Sequence, residues 1–320
     1  MGFLVFPGWT VREVKSPLTA EMLEPFTASA GTVYFNSTLT DSDCMRLADW
    51  MRNYPELGLR VGDGIDDLEF LRFFPFIRHF GAAVVYRSIG SIDGLRHLSE
   101  NLESLDLGHT RRQLDLTILS RFPGLKQLKL QGPTKGIGVI SNLTALEDLT
   151  LRSITLPDLS LLLPLTELRA LDIKLGGTTD LSLLPSIGRL QYLELWMIRG
   201  LTDLSSIGRL PHLRYLFLQA LRRVEALPDL SLDVELRRVH LETMRGLRDL
   251  RPLATAPALE QLLLVDFAHL QPEDLRCLVG LPHLEGVGVG LGSKRKNDAA
   301  YAMLQLPDAT NLKTGDWREV

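Results

Sequence analysis

Residues 190–195 read Leu190-Gln191-Tyr192-Leu193-Glu194-Leu195, and residues 213–218 read Leu213-Arg214-Tyr215-Leu216-Phe217-Leu218. Both are the pattern L-x-x-L-x-L, and they start 23 residues apart. Upstream the pattern recurs at Leu102-Leu105-Leu107, Leu125-Leu128-Leu130, Leu146-Leu149-Leu151 and Leu168-Leu171-Ile173. Downstream it recurs at Leu236-Val239-Leu241, Leu259-Leu262-Leu264 and Leu284-Val287-Val289, and two weaker copies, Tyr54-Leu57-Leu59 and Ile77-Phe80-Ala82, come first. The eleven copies are spaced 21 to 25 residues apart. A fixed period of this length is the mark of a repeat stack, in which no single unit can bury its own leucines.

Between the hexads runs a second signature, Asp-Leu-Ser, at Asp158-Leu159-Ser160, Asp180-Leu181-Ser182 and Asp203-Leu204-Ser205, shortened to Asp249-Leu250 later. Pro123, Pro164, Pro211, Pro257 and Pro282 close several units. Proline fixes φ and lacks an N–H, which suits a turn. About 22 residues per unit leave room for a short strand and a 3₁₀ or single helical turn, but not for a long helix.

These residues resemble the leucine-rich-repeat superfamily, in its short-repeat subclass of 22–23 residues typified by internalins and phosphatase-regulatory leucine-rich proteins. The resemblance covers roughly residues 54–290. It implies an α/β leucine-rich-repeat solenoid: a curved right-handed stack of about eleven repeats, a parallel sheet on the concave face, short turns on the convex face, and terminal caps. The family often places Asn in the turn after the strand. Here the equivalent places hold Thr110, Pro133, Ile154, Gly176, Ile198, Leu221, Met244 and Phe267. That turn must therefore satisfy its backbone by another route.

The expected organisation is an N-terminal cap at 1–53, the array at 54–290, and a C-terminal cap and tail at 291–320. In the first, Val33-Tyr34-Phe35 reads as a strand. Thr40 begins a helix with Cys44, Leu47, Ala48 and Met51 on one face. In the last, Lys294-Arg295-Lys296 reads as a solvated loop, followed by a short helix from Asp298 to Gln305. The glycines of Gly286-Val287-Gly288-Val289-Gly290 are expected to let that cap approach closely.

Composition limits the function. Thirty-five basic and 39 acidic residues give a net charge of −4, which provides no general field for nucleic acid or an acidic membrane. Two cysteines, Cys44 and Cys277, are too few for a disulfide framework, so a cytoplasmic chain is expected. The apolar run at residues 1–8 lacks a basic start and is broken by Pro7 and Gly8, unlike a signal segment. No Cys/His cluster has zinc spacing, and no phosphate-binding or nucleophile motif occurs, so neither cofactor nor metal is expected.

Side chains alternate along a strand, so the residues between the leucines line the concave face. One column there runs Asp172, Glu194, Phe217, His240. The column before it holds Tyr192, Tyr215 and Arg238, and the column after it holds Arg152, Lys174, Trp196 and Glu242. Tyr192, Trp196, Tyr215 and Phe217 should form one exposed aromatic patch, flanked by Arg152, Asp172, Lys174 and Glu194 on one side and Arg238, His240 and Glu242 on the other. Aromatic side chains ringed by charge describe a protein-binding surface. The expected function is a non-enzymatic scaffold holding a protein or peptide, as an adaptor or an inhibitor, and monomeric when unbound. The alternatives are an enzyme using Asp172 and Glu194, which should approach within about 5 Å across neighbouring strands, or a self-assembling repeat.

Overall fold

Every hexad folds as a strand on which the leucines point one way. In the computed structural model, which describes residues 10–28, 31–82, 89–108, 113–132 and 135–309, the chain forms two compact units, Met1–Leu149 and Thr150–Val320. The run at 1–8, Thr110, Pro133 and the tail beyond 309 lie outside the described residues.

The first unit carries β1 (Thr10–Glu13), β2 (Gly31–Phe35), β3 (Leu57–Val61), β4 (His79–Ala82), β5 (Ser104–Leu107) and β6 (Gln127–Gln131), each parallel to the one before it. Two of these strands precede the first hexad. β2 contains the expected Val33-Tyr34-Phe35, whereas β1 has no leucine pattern and is mostly exposed. Helix α1 (Asp41–Met51) starts where the capping pattern predicts, with the Thr40 hydroxyl accepting from the Asp43 amide, and buries Cys44, Leu47, Ala48 and Met51. β7 (Asp148–Arg152) spans the division between the units.

The second unit carries β8 (Ala170–Lys174), β9 (Tyr192–Trp196), β10 (Tyr215–Gln219), β11 (Arg238–Glu242), β12 (Gln261–Val265) and β13 (Gly286–Val289), again parallel and in chain order. Strand leucines such as Leu193, Leu195, Leu216 and Leu218 are at most 1% exposed. The Asp-Leu-Ser signature is an Asx turn: the amides of Ser160, Ser182 and Ser205 donate to Asp158, Asp180 and Asp203 Oδ1 at 2.8–2.9 Å. Each bond opens the connection back to the next strand, where the following leucine is buried.

The turn that lacks the family's asparagine is solved by the backbone. Ser153, Leu175, Met197, Ala220, Thr243 and Asp266 all take positive φ, between 50° and 61°. In that conformation the amides of Ser153, Leu175, Met197, Ala220 and Thr243 donate to the final carbonyl of the next strand at 2.7–2.9 Å. The chain then dives inward, burying Ile154, Ile198, Leu221, Met244 and Phe267.

The C-terminal region differs from the sequence expectation. Helix α2 spans Lys294–Leu304, with Ser293 as its N-cap. Lys294-Arg295-Lys296 is therefore its first turn and not a loop, because the Ser293 hydroxyl satisfies the Lys296 amide and the Asn297 carboxamide satisfies that of Leu291. The glycines of β13 do admit a close neighbour. A Cβ at Gly286 would lie 3.1 Å from Ala309 Cβ, and Val287 exchanges backbone hydrogen bonds with Pro307 and Ala309.

One core position breaks the apolar rule. The residue three before the hexad is Phe122, Leu143, Leu165, Ile187, Leu210 and Ala256 in six repeats, all buried; it is half-buried Ser99 before Leu102, and Asp233 before Leu236. Asp233 is fully buried; Oδ1 accepts from the Leu210 amide at 2.9 Å and Oδ2 has no partner. Burial pushes its carboxyl up to about 7.

Two predictions follow from these backbone and core positions. Because the folded chain holds the Asp233 proton to a higher pH than the unfolded chain does, stability should fall as pH rises from about 4 to about 7 and then level off. Asp233→Asn should remove that slope and gain on the order of 2–4 kcal/mol at pH 8 in urea unfolding; an unchanged pH profile would refute it. At the positive-φ turn, Met197→Gly should keep or raise the denaturation midpoint, whereas β-branched Met197→Val should cost about 1–2 kcal/mol.

Candidate functional site

The strand register fixes which side chains meet on the sheet face opposite the leucines. Asp172 lies beside Glu194, Glu194 beside Phe217, and Phe217 beside His240. Tyr192 pairs with Tyr215, and Lys174 with Trp196. The columns read from the hexads are thus the observed columns on β8 to β12, and all of these residues belong to the second unit.

Their environments differ from the expected exposed patch. Tyr215 is only 3% exposed, and Tyr192, Trp196 and Phe217 are half-buried. The reason is mutual coverage. Tyr192 and Tyr215 meet edge to face at 5.2 Å, and the Arg238 guanidinium lies 5.4 Å above the Tyr215 ring. Arg152 reaches across to cover Trp196 at 5.2 Å. Phe217 and His240 stack at 4.2 Å with their planes 9° apart. Cations thus cap Trp196 and Tyr215, and Tyr192, Trp196 and Phe217 remain partly accessible.

Beside these rings on the same face sits a tight ionic cluster. Lys174 Nζ is 2.7 Å from Glu194 Oε2 and 3.4 Å from Asp172 Oδ2, and the side chains of Lys174, Asp172 and Glu194 are 14%, 17% and 7% exposed. The Tyr192 hydroxyl donates to Glu194 Oε2 at 2.9 Å, and the Thr150 hydroxyl to Asp172 Oδ2 at 3.0 Å. Burial alone would lower the Lys174 ammonium, but Asp172 and Glu194 together hold it above its ordinary value. Glu194 is raised by burial first and by the Asp172 charge second. Tyr192 is raised by burial and by both carboxylates. The acidic pair is thus brought together as expected, with a charged lysine held between its members.

Farther along the face, burial and then Arg238 depress His240 to about 4, so the ring is neutral near pH 7. Its Nε2 is 3.8 Å from Glu242 Oε2, too long for a hydrogen bond, and neither ring nitrogen has a protein partner. Glu242 accepts from Gln219 Nε2 at 2.7 Å. Arg238 Nε donates to Gln261 at 2.7 Å. Thr150, Gln219 and Gln261 are supporting residues that the sequence reading left out; their place in the same columns was the available signal. Among the described residues no group of three His, Cys, Asp or Glu side chains could hold a metal ion, and no helix is long and apolar enough to cross a membrane. Cys44 and Cys277 are both free thiols.

Parallel strands at a 21–25-residue period, joined mostly by 3₁₀ turns over a leucine core, give the chain the fold of a leucine-rich-repeat array with short repeats. An internalin C2 from Listeria monocytogenes str. 4b F2365 is a solved structure similar to it, at 24% identity over 71% of this chain and 84% of that chain, with a TM-score of 0.47. No protein-family profile matches the chain, and no curated protein matches it.

The cluster predicts a stability effect. Lys174→Met leaves two buried carboxylates without their cation and should cost about 3–5 kcal/mol in urea unfolding. Adding Glu194→Gln to that variant should recover part of the loss, and additive losses in the double-mutant cycle would contradict the coupling.

Proposed function

We infer that this is a non-enzymatic interaction protein that holds a protein or peptide partner on the sheet face of its second unit, centred on Trp196 and Phe217. The observation that carries this reading is the pre-organised ring layer. Trp196 and Phe217 stay half-buried, with Arg152 packed over the first and His240 stacked on the second. Rigid aromatic anchors flanked by paired polar groups lose little conformational entropy on binding, and such residues dominate interface energies. Arg152, Asp172, Lys174, Tyr192, Glu194, Tyr215, Arg238, His240 and Glu242 then serve as the frame around the two anchors. An adaptor and an inhibitor would use this face alike.

The acid–base alternative has less support. A carboxylate pair used for proton transfer needs one member free to reach substrate. Here Glu194 is 6% exposed and engaged by both Lys174 and Tyr192. Localisation in the cytoplasm and a monomeric unbound state complete the proposal.

The test is affinity capture from cells of the source organism with the native chain and with Trp196→Ala/Phe217→Ala, each checked for native circular dichroism. The double variant should lose a specific partner, because each buried anchor contributes about 2 kcal/mol or more at a hot spot. An unchanged set of captured proteins would remove the sheet face from consideration.

A further inference from the structure

Beside the sheet face, the turns leaving β9, β10 and β11 carry a second surface. Register holds the strand ends Trp196, Gln219, Glu242 and Val265 side by side. The positive-φ turn then repeats with φ of 50°, 53°, 54° and 61°. Three residues past each strand end stand Arg199, Arg222, Arg245 and Ala268. The arginines are thus superposed from repeat to repeat, about 5 Å apart at the backbone. Arg223 and Arg248 lie on the same turns, and all five are exposed.

None of these five arginines makes an ion pair among the described residues, whereas nine other arginines do. The fourth turn, at Ala268, has no arginine of its own but receives a cation from elsewhere. Lys296 Nζ donates to the Ala268 carbonyl at 3.0 Å and to that of Leu270 at 2.9 Å. This brings the first turn of α2, with exposed Lys294 and Arg295, to the end of the row. That helix start has no acidic residue, and cations there oppose the helix dipole. Stacked like charges likewise repel one another. Folding alone therefore disfavours this arrangement, and an anionic partner would relieve it.

Two features distinguish a polypeptide from a phosphate backbone. Met197 (41% exposed) and Val265 (37%) interleave apolar surface with the row. Asp266 sits at the turn position equivalent to Met197, where it accepts from the Thr243 hydroxyl at 3.2 Å and would repel a continuous polyanion. We propose that the row Arg199, Arg222, Arg245 and Lys296, with Arg223 and Arg248 beside it, docks an acidic polypeptide segment whose carboxylates alternate with apolar side chains. This surface is separate from the Trp196–Phe217 anchors and stands whether or not they bind a partner.

The full chain is titrated by fluorescence anisotropy with a fluorescein-labelled peptide of repeated Glu-Glu-Leu triplets, and in parallel with a labelled oligo-dT of equal charge. The peptide should bind more tightly than oligo-dT and weaken as salt is raised. Arg199→Ala/Arg222→Ala/Arg245→Ala should weaken peptide binding about ten-fold or more, a factor of a few per lost ion pair. Arg209→Ala, on the opposite connection, should not change it. All the substituted arginines are exposed, and thermal denaturation checks that the variants stay folded. No peptide binding by the native chain, equal binding by the triple variant, or tighter binding of oligo-dT would each overturn the proposal.

Discussion

One backbone hydrogen bond sets the spatial order of each repeat in the second unit. The first residue after the strand turns to positive φ and gives its amide to the last carbonyl of the next strand. Without it the strand's final carbonyl would be left unpaired at the point where the chain plunges into the core. Because the same bond recurs from Ser153 to Thr243, it holds successive turns at one register as well as successive strands. Non-glycine residues occupy the position despite a conformational cost of about 1 kcal/mol or more each. The fixed register of the columns depends on that bond.

Equal register has a chemical consequence. Side chains distant in sequence become nearest neighbours at strand spacing, so each column acts as a one-dimensional lattice. Where opposite charges fall together, as in Asp172, Lys174 and Glu194, the lattice buries an ion cluster that also holds the Tyr192 hydroxyl. Where like charges fall together, as in Arg199, Arg222 and Arg245, the lattice concentrates charge that the chain as a whole, at −4, does not show. Gly81 illustrates a third use: it leaves the space through which Arg60 reaches past β4 to pair with Asp106.

The core tolerates one violation of its own rule. Asp233 takes a place that six other repeats fill with a buried apolar side chain, and its second oxygen finds no partner. From the connection between β10 and β11, its first oxygen accepts from the Leu210 amide of the preceding connection, which ends a 3₁₀ turn. The carboxylate thus ties two successive connections together at the cost of burying a titratable group.

The sequence by itself determined the repeat, its period, the direction each strand residue faces and the columns on the sheet face. Those follow from local alternation and from a pattern that recurs too often to be chance. It also marked the cap of α1, because Thr40 and Asp43 lie within one turn. Tertiary structure alone decided how deeply each ring is covered. The capping cation of Trp196 comes from Arg152, that of Tyr215 from Arg238, and neither pairing is local. It likewise decided that Lys294-Arg295-Lys296, a weak signal when read as three residues, extends a row of arginines up to about a hundred positions earlier. A pattern along the chain reveals periodicity, whereas charge and burial are sums over neighbours in space, and those neighbours exist only once the strands have stacked.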